Sequence, residues 1–268
     1  MKEKVKIKEV KKVGKSDRSI DLTGFKMQDA LNPKIWDENQ KLQPEVRKTL
    51  LKIADDYFEG LELPGVDIED ICLTGSLANY NWSKYSDVDL HILIDYTEVP
   101  VDETLIQDFL KTKSTAWNDS HDIKIYGFDI EIYVQDIKEE HVSTGVYSIL
   151  RNEWVVQPEK KPIKIDNINV KLKSERIMDA IDDLFHEMKD SKNYDSVVEK
   201  SDKIKDKIKK MRQAGLDANG EFSVENMVFK VLRRNGMLDR LSDIKTVAYD
   251  KSVTLEHNRY LYKNILKW

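Results

Sequence analysis

The sequence predicts an α/β (α+β) fold in which a sheet-bearing first part gives way, near residue 165, to an α-helical second part. Three observations predict it. Before that point, short runs rich in branched residues, Asp70-Ile71-Cys72-Leu73-Thr74 and Val88 to Ile94, alternate with helical stripes. After Val170 the apolar residues recur only at helical intervals. The chain has 268 residues, 40% of them hydrophobic and 35% charged, enough to bury a core in one large domain or two modest ones without a disulfide or metal staple.

Taken in order, residues 1–29 read as a flexible basic arm, because Met1 to Arg18 carries eight basic residues against three acidic ones and no sustained period. Val46, Leu50, Ile53, Ala54 and Phe58 then recur at helical spacing from Pro44 to Phe58, and Leu63-Pro64-Gly65 is a turn. The strand from Asp70 to Thr74 runs into Gly75-Ser76, and Val88 to Ile94 is the second strand. A helix is expected from about Glu103 to Trp117, capped by Asp102, with Leu105, Ile106, Phe109 and Leu110 inward. Between Ile123 and Val134 the apolar alternation slips from odd to even positions, which a tight turn or bulge at Tyr126-Gly127 explains, and a hairpin is favoured. Trp154 to Gln157 supplies a further short strand.

The second part reads as helices. Ile177, Ile181, Leu184, Phe185 and Met188 form one stripe; Val197, Ile204, Ile208 and Met211 form a thinner one, interrupted at Gly215 and Asn219-Gly220. Ser223 caps the next helix and Gly236 closes it, before helical segments near Leu238 to Tyr249 and Leu255 to Lys267. The domains are therefore expected at 30–165 and 166–268, after the arm.

The net charge of −5 argues against a generally basic, nucleic-acid-coating surface. Apolar runs such as Leu90 to Ile94 are far short of the roughly 20 residues a bilayer span needs, so no membrane partner is expected. Met1 to Lys12 lacks the apolar stretch of a secretory leader, which predicts a cytoplasmic location. Cys72 is the single cysteine, so an intrachain disulfide and a cysteine zinc cluster are excluded, and it reads as a buried thiol.

Chemistry concentrates in Leu73-Thr74-Gly75-Ser76, ten intervening residues, and Asp87-Val88-Asp89-Leu90. A strand ending in Gly-Ser lets backbone N–H groups and a hydroxyl approach a phosphate closely. Asp87 and Asp89, two apart on a strand, project from one face and suit a hard cation such as Mg²⁺. A third carboxylate for a two-metal site is offered by Asp129 or Glu131, which share one face of Phe128 to Val134.

This pattern of Gly-Ser, spacer, Asp-x-Asp and a later strand carboxylate resembles the DNA polymerase β-like nucleotidyltransferase superfamily. More narrowly, Asn32-Pro33-Lys34-Ile35-Trp36, Gly75-Ser76-Leu77-Ala78-Asn79-Tyr80-Asn81, Glu131-Ile132-Tyr133-Val134-Gln135 and the run from Glu225 to Gly236 resemble uncharacterised nucleotidyltransferases of tailed bacteriophages. The resemblance implies a small mixed-sheet nucleotidyltransferase core followed by a C-terminal helical domain. It implies that Gly75 and Ser76 grip a nucleoside triphosphate such as ATP, and that Asp87, Asp89 and Glu131 are catalytic and hold Mg²⁺ or Mn²⁺. Glu131 is preferred to Asp129 because Ile130-Glu131-Ile132 matches the family's apolar-Glu-apolar strand. The implied reaction transfers a nucleoside monophosphate, with release of pyrophosphate, to an acceptor that is an RNA, a protein or a small molecule, in the host cytoplasm if the gene is a phage's. The alternative expectation is a catalytically silent fold that binds nucleic acid or protein. Around the motif, His91 is expected to support the site rather than ligate, and Tyr80, Trp82 and Tyr85 fit base stacking and packing equally well. Arg233 and Arg234, near a helix C-terminus, are expected to answer the helix dipole, with triphosphate contact as the alternative.

Overall fold

Period-two alternation in the first half produces one mixed sheet, and the apolar face of that sheet packs against the helices of the same part. The computed structural model describes residues 20–140, 143–160, 165–190 and 193–255. Most of the expected basic arm, and the expected last helix beyond Leu255, lie outside the described residues. The chain divides into two units, the first spanning Thr23–Ile163 and the second holding the helices that follow.

In the first unit the strands are β1 (Asp70–Thr74), β2 (Val88–Ile94), β3 (Lys124–Ile125), β4 (Phe128–Asp136), β5 (Val146–Ser148) and β6 (Glu153–Val156), in the spatial order β3-β4-β2-β1-β5-β6. β1 is antiparallel to both β2 and β5, whereas β2 is parallel to β4. Two helices belong to this unit, α1 (Pro44–Glu59) and α2 (Glu103–Ser120), the latter forming the crossover between β2 and β4. Ile71 and Leu73 of β1, Leu90 and Ile92 of β2, and Ile130 and Ile132 of β4 join Leu50 and Ile53 of α1 and Ile106 and Leu110 of α2 in one buried cluster. The opposite face carries the polar row that forms the candidate site, beside a small apolar cluster of Cys72, Leu93 and Val146.

Local sequence accounts for most boundaries. Asp102 accepts from the Thr104 N–H at 2.9 Å and starts α2. Tyr126 and Gly127 both have positive φ, 51° and 93°, and turn β3 into β4 as a two-residue hairpin. Two helix faces differ from expectation. In α1 Tyr57 is buried and Phe58 half-buried, because Tyr57 continues the Leu50–Ile53 stripe and its hydroxyl finds Ser114 of α2 at 3.0 Å. In α2 Leu105 is exposed, because the stripe runs Ile106, Leu110, Ser114. The strand β5 has no counterpart in the sequence reading; its three residues are too few to show a period. Trp36, Tyr147 and Trp154 hold it in place, with ring centroids 4.6 to 5.0 Å apart.

Among the described residues, the α-helices of the second unit are α3 (Asn167–Asp190), α4 (Tyr194–Asn219), α5 (Val224–Arg234) and α6 (Met237–Val253). Ile181, Leu184, Phe185 and Met188 of α3 are buried as the spacing predicts. Ser223 accepts from the Asn226 N–H and caps α5, and Gly236 reverses the chain into α6 with φ 64°. Gly215 does not interrupt α4, which continues to Asn219. A Cβ there would lie 2.5 Å from Cβ of Glu225 and 2.7 Å from Oγ of Ser223, so this glycine is a point of close helix approach. Among the described residues, no helix is long and apolar enough to cross a membrane.

Two buried polar features fix testable expectations. Asp182 of α3 and Arg240 of α6, both buried, pair at 2.6 Å, with the guanidinium carbon 4.5 Å from the Phe185 ring centroid. Arg240→Leu strands a buried carboxylate and should cost about 3 to 5 kcal/mol in urea unfolding, while adding Asp182→Leu should recover most of that loss. The Cys72 thiol is fully buried, and burial first, then the neighbouring Asp70, push it up to about 12. It should resist iodoacetamide at pH 8 in the folded chain and react once urea unfolds it.

Candidate active site

The hydrogen-bonded ladder through three neighbouring strands builds the site. Thr74 at the end of β1 pairs with Asp89 of β2, and Asp89 pairs in turn with Glu131 of β4. Because β2 buries its even-numbered residues, Asp89 and His91 emerge on the other face, and Glu131, Tyr133 and Gln135 of β4 emerge beside them.

Gly75 leaves β1 with φ 71° and ψ −157°, a region that is essentially glycine's alone. A Cβ built there would lie 1.7 Å from Oδ2 of Asp89, so the carboxylate occupies the space that any other side chain would need. Ser76 then opens a short turn, Ser76–Ala78, whose Leu77 and Ala78 are buried. The Ser76 hydroxyl donates to Oγ of Ser86 at 2.8 Å, and the same oxygen accepts from the Ser83 N–H at 3.0 Å, so three serines close the loop upon itself. The loop is anchored from outside as well. Trp36 Nε1 donates to the Leu77 carbonyl at 2.7 Å, the Gln28 N–H donates to the Tyr80 carbonyl at 2.7 Å, and Trp82 Nε1 donates to the Ala30 carbonyl at 2.9 Å. Tyr80 and Trp82 are therefore part of the loop's packing, while Tyr85 is more exposed, with Lys84 Nζ 4.7 Å from its ring centroid. Gly145, just before β5, approaches the Ala78 carbonyl so closely that a Cβ would lie 2.0 Å from it.

The acidic residues converge on one phenol. The Tyr133 hydroxyl donates to Oε2 of Glu131. Burial pushes this phenol well above its ordinary value, the bond to Glu131 adds to that, and the charges of Glu131, Asp89 and Asp87 push the same way. Of the three, Glu131 touches Tyr133, Asp89 is its strand neighbour, and Asp87 precedes β2 two residues before Asp89. Asp129 lies elsewhere in charge terms: it sits opposite Lys124 in the β3–β4 hairpin and pairs with that ammonium, which also reaches Asp122 at 2.8 Å. His91 faces Tyr133 with ring centroids 5.2 Å apart, and its Nδ1 lies 3.1 Å from Oε1 of Gln135.

Tyr133 and Ser86 are the two participants that the sequence reading missed. Tyr133 had a usable signal, since it stands two residues after Glu131 and so shares its face. Ser86 had none, because its contact with Ser76 depends on how the loop closes. Arg233 and Arg234 occupy the last turn of α5, where cations oppose the helix dipole.

An all-oxygen set of three carboxylates on adjacent strands suits a hard dication such as Mg²⁺. As the side chains stand, among the described residues no three of His, Cys, Asp and Glu form one metal-holding group. Glu131 is instead turned to Tyr133.

Gly75→Ala should place a methyl group on the Asp89 carboxylate and a side chain at a strained φ, costing about 1 to 3 kcal/mol in urea unfolding. Gly65→Ala supplies the comparison, since Gly65 has φ 79° with nothing within 4 Å of its Cβ position and should lose less. Asp89→Ala in the Gly75→Ala background should restore part of the loss, giving a measurable coupling between the two positions.

No protein-family model, no curated protein and no solved structure matches this chain.

Proposed function

We propose that the chain is a metal-dependent nucleotidyltransferase, moving a nucleoside monophosphate from a nucleoside triphosphate to an acceptor. One observation carries the reading: the ladder Thr74–Asp89–Glu131 sets a Gly-Ser loop and two carboxylates side by side, with Asp89 lodged against the Gly75 backbone. In this reading an acceptor oxygen attacks the α-phosphorus, the bond to the β-phosphate bridging oxygen breaks, and pyrophosphate leaves with that electron pair.

Asp87, Asp89 and Glu131 would hold Mg²⁺ or Mn²⁺. When bound, the metal neutralises charge on the triphosphate and acidifies the acceptor hydroxyl. The remaining work belongs to the chain. Gly75, lacking a side chain, lets the triphosphate approach the β1 end, and the Ser76 hydroxyl exchanges its bond to Ser86 for one to a phosphate oxygen. Glu131 gives up the Tyr133 hydrogen bond and presents Oε2 to the acceptor's proton. The register and the Lys124 ion pair favour Glu131 over Asp129 for this role.

A second reading, a catalytically silent fold that binds nucleic acid or protein, draws on the engagement of Glu131 by Tyr133. Incubation with each α-labelled triphosphate, Mg²⁺ or Mn²⁺, and separate RNA, protein and metabolite fractions divides the two. Nucleotidyl transfer leaves label in one fraction; the silent fold leaves label in none.

Asp87→Asn and Asp89→Asn should abolish transfer without lowering the unfolding midpoint, because each removes one charge from a cluster of like charges. Glu131→Gln should lower the single-turnover rate by about a hundredfold or more while triphosphate binding persists, and Asp129→Asn should change it little. The opposite ranking of the last two variants would transfer the third position to Asp129.

A further inference from the structure

The second unit holds a cavity of about 700 Å³ between α4, α5 and α6, a size that encloses a metabolite-sized ligand. Its apolar lining comes from Ile208, Phe229, Leu238 and Leu241. One wall is cationic: Lys205, Lys209 and Arg212 follow one another at i, i+4 and i+7 along α4. Asp206 and Asp239 also line the space, and Lys245 is already paired with Asp202 at 2.6 Å.

The Arg212 end is where positive charge concentrates. Its Nε donates to Oδ1 of Asn226 at 3.2 Å, and its guanidinium carbon lies 4.0 Å from the Phe229 ring centroid, so the group is held in place by α5. Asn226, Phe229, Lys230 and Arg233 form one stripe of α5, at i, i+3, i+4 and i+7. Burial depresses Arg212, and Arg233 adds to the depression. Burial also depresses Lys230, opposed by Glu221 and reinforced by Arg234, Arg233 and Arg212. Among the described residues no carboxylate forms an ion pair with Arg212. Arg212, on the cavity lining, and Lys230 behind it repel one another in a partly desolvated place, and an anion seated at Arg212 relieves that cost.

We propose that this cavity binds a small organic phosphate monoester, its apolar aryl or alkyl body against Phe229, Leu238 and Leu241 and its phosphate at Arg212. The fork of a guanidinium matches phosphate oxygens, and a doubly charged monoester answers the cluster better than a single carboxylate. The apolar lining gives inorganic phosphate alone less to bind than a monoester that carries an apolar body. The site lies wholly within α4, α5 and α6 and does not depend on nucleotidyl transfer.

The test is calorimetric titration of the full chain with 1-naphthyl phosphate, and separately with 1-naphthol and inorganic phosphate. Saturable binding of the monoester, at least about tenfold tighter than either part, is expected. Arg212→Met should weaken it at least about tenfold, with Arg212→Lys intermediate. Ser242→Trp, at an exposed position on the cavity lining, should block binding equally while leaving the unfolding midpoint unchanged, so a folding defect in the Arg212 variants cannot mimic the result. Absence of saturable monoester binding at millimolar concentration overturns the proposal. So does binding that neither Arg212→Met nor Ser242→Trp alters, or inorganic phosphate binding as tightly as the monoester.

Discussion

The candidate site inherits its geometry from the burial of the sheet's other face. Leu90 and Ile92 of β2 and Ile130 and Ile132 of β4 belong to the buried cluster against α1 and α2, and the parallel register pairs Leu90 with Ile132. A slip of one residue in either strand would expose that whole set, at roughly 1.5 to 3 kcal/mol for each large side chain brought to solvent. No arrangement of the acidic residues could offset such a loss. The apolar residues therefore fix the register, and the register sets Asp89 beside Glu131 and Thr74 without any attraction between the carboxylates themselves.

That division of labour lets the polar face hold an arrangement that is unfavourable by itself. Asp87, Asp89 and Glu131 are like charges on one side of the sheet, and all of them work against ionisation of the Tyr133 phenol. Tyr133 therefore remains a donor and offsets part of the repulsion through its bond to Glu131. At Gly75 the backbone takes a conformation that other residues avoid, and the space saved is filled by the Asp89 carboxylate. A strained turn and crowded charge at the same place are features a protein tolerates where the surrounding core over-determines them, and the fully buried Leu73, Leu77 and Leu90 provide that support here.

What was legible in the sequence follows from the range of each signal. Elements with several turns of helix or a full alternating strand announced themselves: α1, α2, α3, β1 and β2 lie where the spacing of apolar residues put them. The β3–β4 hairpin was visible because a phase slip coincided with a Tyr-Gly pair. Features set by distant packing were not visible. β5 is three residues long and exists because Trp36 and Trp154 clasp Tyr147. Gly215 looked like a helix breaker, yet its position at a close approach to Ser223 and Glu225 keeps α4 continuous. Asp129 and Glu131 could not be separated by alternation, since both face the same side; their different neighbours, Lys124 for Asp129 and Tyr133 for Glu131, come from the hairpin and the strand pairing.

The helical unit shows the same contrast between charge that is settled and charge that is poised. Asp182 and Arg240 are both buried, yet each answers the other, and Phe185 covers the guanidinium. The pair closes a contact between α3 and α6 and has no charge left to offer. Arg212 and Lys230 differ: burial depresses both, and each lies near enough to other cations for like charge to add to the depression. Had packing alone selected these positions, aliphatic residues would fill the same surface without repulsion. Long cationic side chains whose stems pack while their heads crowd together make sense where an anion completes the set, and the adjoining apolar cavity gives such an anion a body to bury.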